Sequence, residues 1–99
     1  MNQAAQRKIL IVDDEESMRF LLREALRKQD FAVDTASGGR DALELVRATN
    51  YDCVIMDIRM ARMNGIETLE EMKRDYPEIP VIMMTAYSSR QIAIETIQK

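Results

Sequence analysis

Ile9-Leu10-Ile11-Val12-Asp13-Asp14 is the stretch that decides the fold, because four apolar residues run directly into two acids. A continuous apolar run of this length is typical of a strand that is buried on both faces of a parallel sheet. A second run, Cys53-Val54-Ile55-Met56, also ends on an acid, Asp57. Ligands of open α/β sheets bind in the crevice outside the carboxyl ends of the strands. The two runs therefore predict acids at the ligand-binding end of a sheet.

Strand and helix patterns alternate along the rest of the chain. We predict strands at 9–12, 31–36, 51–56 and 81–84. Apolar residues at helical spacing predict helices between them. The first helix is predicted at 16–29, and the second begins after an N-cap at Ser37. The third begins with an Asn64/Glu67 capping box and ends at Pro77. The last begins with a Ser88/Gln91 capping box. This order predicts an α/β fold with helices on both faces of a parallel sheet.

The pattern of apolar and polar residues in each strand predicts the order of the strands in the sheet. Residues 32–36 alternate between apolar and polar, which suits an edge strand. With right-handed crossovers, a second strand at one edge gives the order 2-1-3-4, so that Asp13, Asp14 and Asp57 share one crevice. The fourth strand would be the other edge, and it carries no charge to protect it. We therefore expect a fifth strand and helix after Lys99, or a replacement strand from a homodimeric or strand-swapped partner.

Three carboxylates in one crevice need relief from mutual repulsion. Two carboxylates on neighbouring strands, about 4.8 Å apart, repel by roughly 3 kcal/mol at an effective dielectric near 20. Protonation or a bound cation gives relief, and ligands that offer only oxygen favour Mg²⁺. The hydroxyl of Thr85, at the end of the fourth strand, would face the same crevice, which predicts a phosphoryl site with Asp57 as nucleophile. Taken singly, Asp13 and Asp14 could instead belong to an acidic first helical turn that the helix dipole stabilises, and Asp57 could simply start a turn.

Composition excludes several other functions. The absence of His rules out Ser-His or Cys-His catalysis and His-ligated zinc. A net charge of −3 does not favour direct binding of nucleic acid, which requires a basic surface. No apolar run approaches the roughly 20 residues that span a bilayer, and residues 1–6 form a polar, loose tail without a signal core. The single cysteine, Cys53, is expected to be a buried structural thiol, so we predict a cytoplasmic protein.

The motifs of the chain resemble a known family. They are Ile11-Val12-Asp13-Asp14-Glu15, Val54-Ile55-Met56-Asp57-Ile58-Arg59-Met60, Gly65 and Met83-Met84-Thr85-Ala86-Tyr87. Together they resemble the receiver domain of two-component response regulators, over residues 7–99. The resemblance implies a flavodoxin-like, doubly wound fold. It also implies that Asp57 accepts a phosphoryl group from a sensor histidine kinase or phosphotransfer protein, with the domain catalysing its own transfer and dephosphorylation.

The resemblance also implies roles for individual residues. Asp14, Asp57 and the backbone carbonyl of Arg59 would bind Mg²⁺ directly, and Asp13 would bind it through water. Thr85 and the amide of Ala86 would hold the phosphoryl group, and the shift of Thr85 would alter a surface that a partner or a C-terminal output domain reads. The side chains of Arg59 and Tyr87, which lie two residues past Asp57 and Thr85, would tune dephosphorylation.

Two departures from the family and two rival functions need to be stated. Ala61 stands where the family usually has Pro, and this should loosen the loop after Asp57. The family's fifth-strand Lys and aromatic residue have no counterpart here, since Lys99 lies on the last predicted helix, so this chain alone should transfer slowly. One rival is a receiver-like scaffold that binds partners without phosphorylation. The other is a Mg²⁺-dependent phosphatase with an Asp-x-Asp pattern, which Arg59 argues against.

Overall fold

Strands and helices alternate as the sequence predicts. The computed structural model describes residues 6–60 and 64–84. The elements are β1 (Lys8–Val12), α1 (Glu16–Arg27), β2 (Ala32–Ala36), α2 (Gly39–Ala48), β3 (Cys53–Asp57), α3 (Gly65–Asp75) and β4 (Val81–Met84). The predicted bounds of the strands and of the first helix are therefore confirmed to within two residues. The last predicted helix and most of the predicted N-terminal tail lie outside the described residues.

The four strands form one parallel sheet in the order β2-β1-β3-β4, which confirms the predicted order. Val12 of β1 pairs with Met56 of β3. The next residues, Asp13 and Asp57, therefore meet at the carboxyl edge of the sheet. This register is what brings the predicted site together.

The main core lies between the sheet and the helices α2 and α3. Side chains from alternate positions of β1 and β3 point to this face and are fully buried, because a strand's side chains alternate between the two faces. This core is formed by Leu10, Val12, Ala36, Ala42, Val46, Tyr51, Val54, Met56 and Met72. Burying a Leu, Val or Met side chain fully contributes about 1.5–3 kcal/mol. The apolar runs that predicted the strands thus also hold α2 and α3 on the sheet.

The opposite face of the sheet carries Ile9 and Ile11 of β1, which are buried, and Ile55 of β3, which is half-buried. Helix α1 lies against β1 and β2, and its predicted inner stripe is wrong in part. Leu21 is 61% exposed and Ala25 is also exposed, whereas Met18, Leu22 and Leu26 are half-buried. Strand β4 is likewise less buried than its apolar sequence predicts, since Ile82 is 55% exposed. Within residues 6–60 and 64–84, no helix is long and apolar enough to span a bilayer.

The structure differs from the sequence prediction in three local details. Ser37 is not the N-cap of α2, because Gly38 takes that place and the Ser37 hydroxyl donates instead to the Asp41 carboxylate at 3.3 Å. Helix α1 ends at Arg27 rather than at 29, since the chain turns through Asp30 in the left-handed region, with φ of 70°. Cys53 is half-buried rather than buried.

The N-cap of α3 is confirmed. The side-chain oxygen of Asn64 accepts a hydrogen bond from the Glu67 N–H at 2.8 Å. This bond satisfies one of the amides that a helix start leaves without an intrahelical partner. It fixes the first turn of α3, which lies next to the end of β3.

Candidate metal centre

Three carboxylates converge at the carboxyl edge of the sheet. Asp13 and Asp14 directly follow β1, and Asp57 is the last residue of β3. One carboxylate oxygen from each of the three lies within 4.8 Å of the others. The predicted common crevice is therefore present. Asp13 and Asp57 are buried, whereas Asp14 is exposed, so the cluster opens to solvent on the side of Asp14.

Asp13 is held by hydrogen bonds from three directions. Its N–H donates to the Ala36 carbonyl at the end of β2, at 3.1 Å. Its Oδ1 accepts from the Glu15 N–H at 2.9 Å. Its carbonyl oxygen accepts from the guanidinium of Arg19 in α1, at 2.7 Å. The Arg19 contact was not predicted, and the only signal in the sequence was a basic residue one turn into an acidic helix start.

Asp57 is a buried acid at the end of β3. It is 8% exposed, and its Oδ1 accepts a hydrogen bond from the Arg59 N–H at 3.1 Å. Burial raises the pKa of Asp57 above its ordinary value, the Arg59 N–H opposes this, and the carboxylates of Asp13, Asp14 and Glu15 add to the rise. Loss of hydration on burial is the larger cause of this rise, and repulsion from the neighbouring acids is the smaller one.

Gly65, at the start of α3, is a second residue whose role sequence reasoning missed. Its N–H donates to the Ile58 carbonyl at 2.7 Å. A Cβ at this position would overlap the carbonyl oxygen of Asp57 and lie 2.7 Å from the Ile58 Cα. Only a glycine therefore lets α3 approach the backbone that carries Asp57 so closely. The signal in the sequence was a glycine at the start of a capped helix.

The end of β4 lies beside Asp57. Met84 pairs with Asp57 in the parallel register, and the Ile58 N–H donates to the Met84 carbonyl at 2.9 Å. The predicted phosphoryl-binding residues Thr85 and Ala86 follow Met84 in sequence, but they lie outside the described residues. Ala61 and Tyr87 lie outside them too.

The donor set fits a hard divalent cation. All three side chains offer carboxylate oxygens, with no thiolate or imidazole, which is the chemistry that Mg²⁺ or Ca²⁺ prefers. Two of the three carboxylates are buried together, and a cation would relieve the cost of keeping both ionised. The geometry can thus bind a cation and present a buried carboxylate beside it.

Comparisons with known proteins agree with this geometry. The sequence model of the response regulator receiver domain matches residues 9–99. The transcriptional regulatory protein ZraR of Klebsiella oxytoca is 49% identical over 90 residues, which are 91% of this chain and 20% of that protein. This chain thus spans about a fifth of that relative's length.

Solved structures give the same picture. The chemotaxis protein CheY4 of Vibrio cholerae has a TM-score of 0.88 at 30% identity, covering 95% of this chain and 80% of that chain. The response regulator TrrA of Thermotoga maritima, solved in complex with Mg²⁺-BeF, has a TM-score of 0.84 at 35% identity, covering 92% and 81%. Both likenesses extend over nearly all of this chain.

Proposed function

This chain belongs to the response regulator receiver domain family, and from that premise we propose that it accepts a phosphoryl group on Asp57 from a phosphohistidine of a sensor kinase or phosphotransfer protein. The observation that carries the proposal is the convergence of the Asp13, Asp14 and Asp57 carboxylates within 4.8 Å. A structural role alone would not explain why two buried acids lie side by side, since such a pair costs stability unless a cation or a reaction uses it.

Mg²⁺ is the cofactor in this proposal. Asp14, Asp57 and the backbone carbonyl of Arg59 would hold it directly, and Asp13 would hold it through water. Exposure of Asp14 supports this division, because the ion keeps several waters and needs an open side. When bound, the ion neutralises negative charge that would otherwise repel the incoming phosphoryl group.

Asp57 is the nucleophile. Its Oδ1 is engaged by the Arg59 N–H, so we assign the attack to Oδ2. The Oδ2–phosphorus bond forms as the phosphorus–nitrogen bond of the phosphohistidine breaks, and the imidazole nitrogen keeps the electron pair. Asp57 must be ionised to attack, and a cation beside it offsets the burial that raises its pKa.

Thr85 and Ala86 complete the phosphoryl site in this proposal. The register supports this, because Met84, which precedes Thr85, pairs with Asp57. The added charge of almost two units at Asp57 would draw the Thr85 hydroxyl and the Ala86 amide toward the phosphoryl oxygens. That movement is the signal that a partner or output surface reads.

The partners follow from the family. We propose that this chain acts in the cytoplasm, with a sensor histidine kinase or phosphotransfer protein as phosphoryl donor. A C-terminal output domain would receive the signal, since the relative ZraR is a longer transcriptional regulator. The domain itself is not expected to bind nucleic acid, given its net charge of −3. Strand β4 is last in the order of the described strands, which supports pairing of this edge with a further strand, from the same protein or from a homodimeric or strand-swapped partner.

Uptake of radioactive phosphoryl from acetyl phosphate tests the proposal. Unaltered protein should incorporate label in the presence of Mg²⁺ and lose that uptake with EDTA or in Asp57→Asn. Asp30→Asn is the matched control, because Asp30 is an exposed acid at the opposite edge of the sheet and Asn tolerates its left-handed backbone. Equal labelling of Asp57→Asn and unaltered protein would refute the proposal, and Mg²⁺ binding that does not depend on Asp57 would favour the scaffold.

A further inference from the structure

Arg19 makes a contact that the proposed function does not use. Its guanidinium donates to the backbone carbonyl of Asp13 at 2.7 Å, across six residues of sequence. Hydrogen bonds from a charged donor are about twice as strong as those between neutral groups. Arg19 thus ties the first turn of α1 to the turn that carries the two N-terminal acids of the site.

Hydrogen bonds hold the backbone of the Asp13 turn on two sides. Asp13 and Asp14 follow the last residue of β1, and α1 begins only at Glu16. One side of the turn is fixed by the Asp13 N–H on Ala36 of β2. The carbonyl of Asp13 points the other way, and Arg19 fixes it there. Both backbone polar groups of Asp13 are therefore hydrogen-bonded, which restricts the backbone from which the Asp13 and Asp14 carboxylates extend.

Arg19 bonds a carbonyl rather than a carboxylate. Through this bond Arg19 takes up no carboxylate oxygen of the cluster, and it places a permanent positive charge behind the turn. This charge by itself would weaken binding of a cation, because like charges repel. Positional and electrostatic effects of Arg19 on cation binding thus have opposite signs.

We infer that Arg19 is a positioning residue for the cation site, holding the Asp13 backbone so that the Asp13 and Asp14 carboxylates face Asp57. The inference rests on the proposed function, since it concerns the same site. It adds a residue of α1 to a site otherwise built from strand ends. Residues that orient metal ligands from behind commonly matter to affinity almost as much as the ligands do.

Replacing Arg19 should leave the fold intact. Its side chain lies along an open polar cleft of about 500 Å³ lined by Thr35, Ser37 and Asp41, among others. Methionine at this position has room in the cleft and keeps the helix propensity of α1. The variant Arg19→Met therefore removes the bond to Asp13 without creating a clash.

Isothermal titration of the whole chain with MgCl₂, at a temperature well below the unfolding of each variant, tests the inference. Arg19→Met should raise the Kd for Mg²⁺ about 10-fold. The control is Arg23→Met, one turn further along α1, because Arg23 contacts Phe20 and Glu24 of the same helix. Arg23→Met should leave the Kd unchanged.

Because the positional and electrostatic effects of Arg19 have opposite signs, the direction of the change in the Kd for Mg²⁺ distinguishes them. If removal of charge alone mattered, Arg19→Met would bind Mg²⁺ more tightly, and an unchanged or lower Kd overturns the inference. An equal loss in Arg23→Met also overturns it, because the effect would then belong to α1 as a whole. Faster hydrogen exchange of the Glu15 amide, which bonds the Asp13 carboxylate, should accompany the loss in Arg19→Met and supports the inference.

A substitute variant and two separating outcomes complete the test of this inference. If Arg19→Met does not fold, Arg19→Lys serves instead: a threefold or larger rise in Kd supports the inference and an unchanged Kd overturns it. If the unaltered chain is labelled on Asp57 and binds Mg²⁺ while the Arg19 variants bind it equally well, only the inference fails. If the unaltered chain binds no Mg²⁺, both fail.

Discussion

Replacing Asp57 by Asn should stabilise the protein at neutral pH when Mg²⁺ is absent. The carboxylate is 8% exposed and has two carboxylate neighbours within 4.8 Å. Two charges at that separation repel by roughly 3 kcal/mol at an effective dielectric near 20, which is an upper bound because Asp14 is open to solvent. The Asn side-chain oxygen can still accept from the Arg59 N–H. We therefore expect a gain of about 1–3 kcal/mol in the free energy of unfolding.

The gain should depend on pH in a defined direction. Because the pKa of Asp57 is higher in the folded protein than in the unfolded chain, the folded state binds this proton more tightly. The unaltered protein therefore loses stability as pH rises from the unfolded value, near 3.9, through the folded value. The advantage of Asp57→Asn should be small near pH 4 and reach its full size above the raised pKa.

Thermal unfolding followed by circular dichroism in EDTA measures this effect. For a domain of this size, 1 kcal/mol corresponds to about 4–8 °C, so a gain of about 1–3 kcal/mol should make Asp57→Asn unfold about 4–24 °C higher at pH 7. Added Mg²⁺ should narrow the difference, since a ligand at 100 times its Kd stabilises its folded target by about 2.7 kcal/mol. A variant no more stable than the unaltered protein at pH 7 in EDTA would refute the reasoning. So would an equal gain in Asp30→Asn, which removes an exposed acid.

Three other substitutions test contacts that shape the site and the sheet. Gly65→Ala should lower the free energy of unfolding in urea by about 1–3 kcal/mol, because the added Cβ has no room. Gly38→Ala, which has open space around it, should lower it by less than about 1 kcal/mol. Equal losses would contradict the close approach of α3. Tyr51→Phe should lose about 1–2 kcal/mol, because the buried Tyr51 hydroxyl donates to Asp34 at 2.7 Å. Burial and Asp34 raise the pKa of Tyr51 from 10.0 to about 12, so unaltered protein should lose stability between these values in alkaline urea titrations, and a similar loss in Tyr51→Phe would count against the assignment. Asn64→Ala should lose about 1 kcal/mol of unfolding free energy through its cap, and no change would show that the cap is dispensable.

The sequence predicts the sheet and its acids well because both depend on local pattern. Apolar runs such as Ile9–Val12 have few alternatives to a buried strand, and the polar alternation of β2 identifies its place at an edge. Strand order then brings Asp57 to Asp13 without any knowledge of side-chain packing. The cluster of three carboxylates was therefore predictable from the residues at the strand ends alone.

Contacts between distant elements were not predictable in the same way. The bond from Arg19 to a backbone carbonyl depends on how α1 sits over the sheet, which no spacing in the sequence specifies. The contact of Gly65 with the Asp57 backbone depends likewise on the approach of α3. Burial of Leu21 was overpredicted, because helical spacing identifies an apolar stripe but not how far a neighbouring element covers it. Ser37 was misassigned as a cap, because α2 begins one residue later and the adjacent Gly38, with extended backbone, takes the N-cap position.

The site joins two parts of the chain that are made at different times. A nascent chain that has reached Ala36 contains β1, α1 and β2, and with them Asp13 and Asp14, but the third acid arrives only when β3 docks on β1. A cation bound as proposed would link the two strands across a long loop, and cross-links of this kind stabilise most where the loop they close is long. Removing the cation should loosen the docking of β3 before it affects the β1-α1-β2 unit, so a chelator separates one late folding step from the stability of the rest.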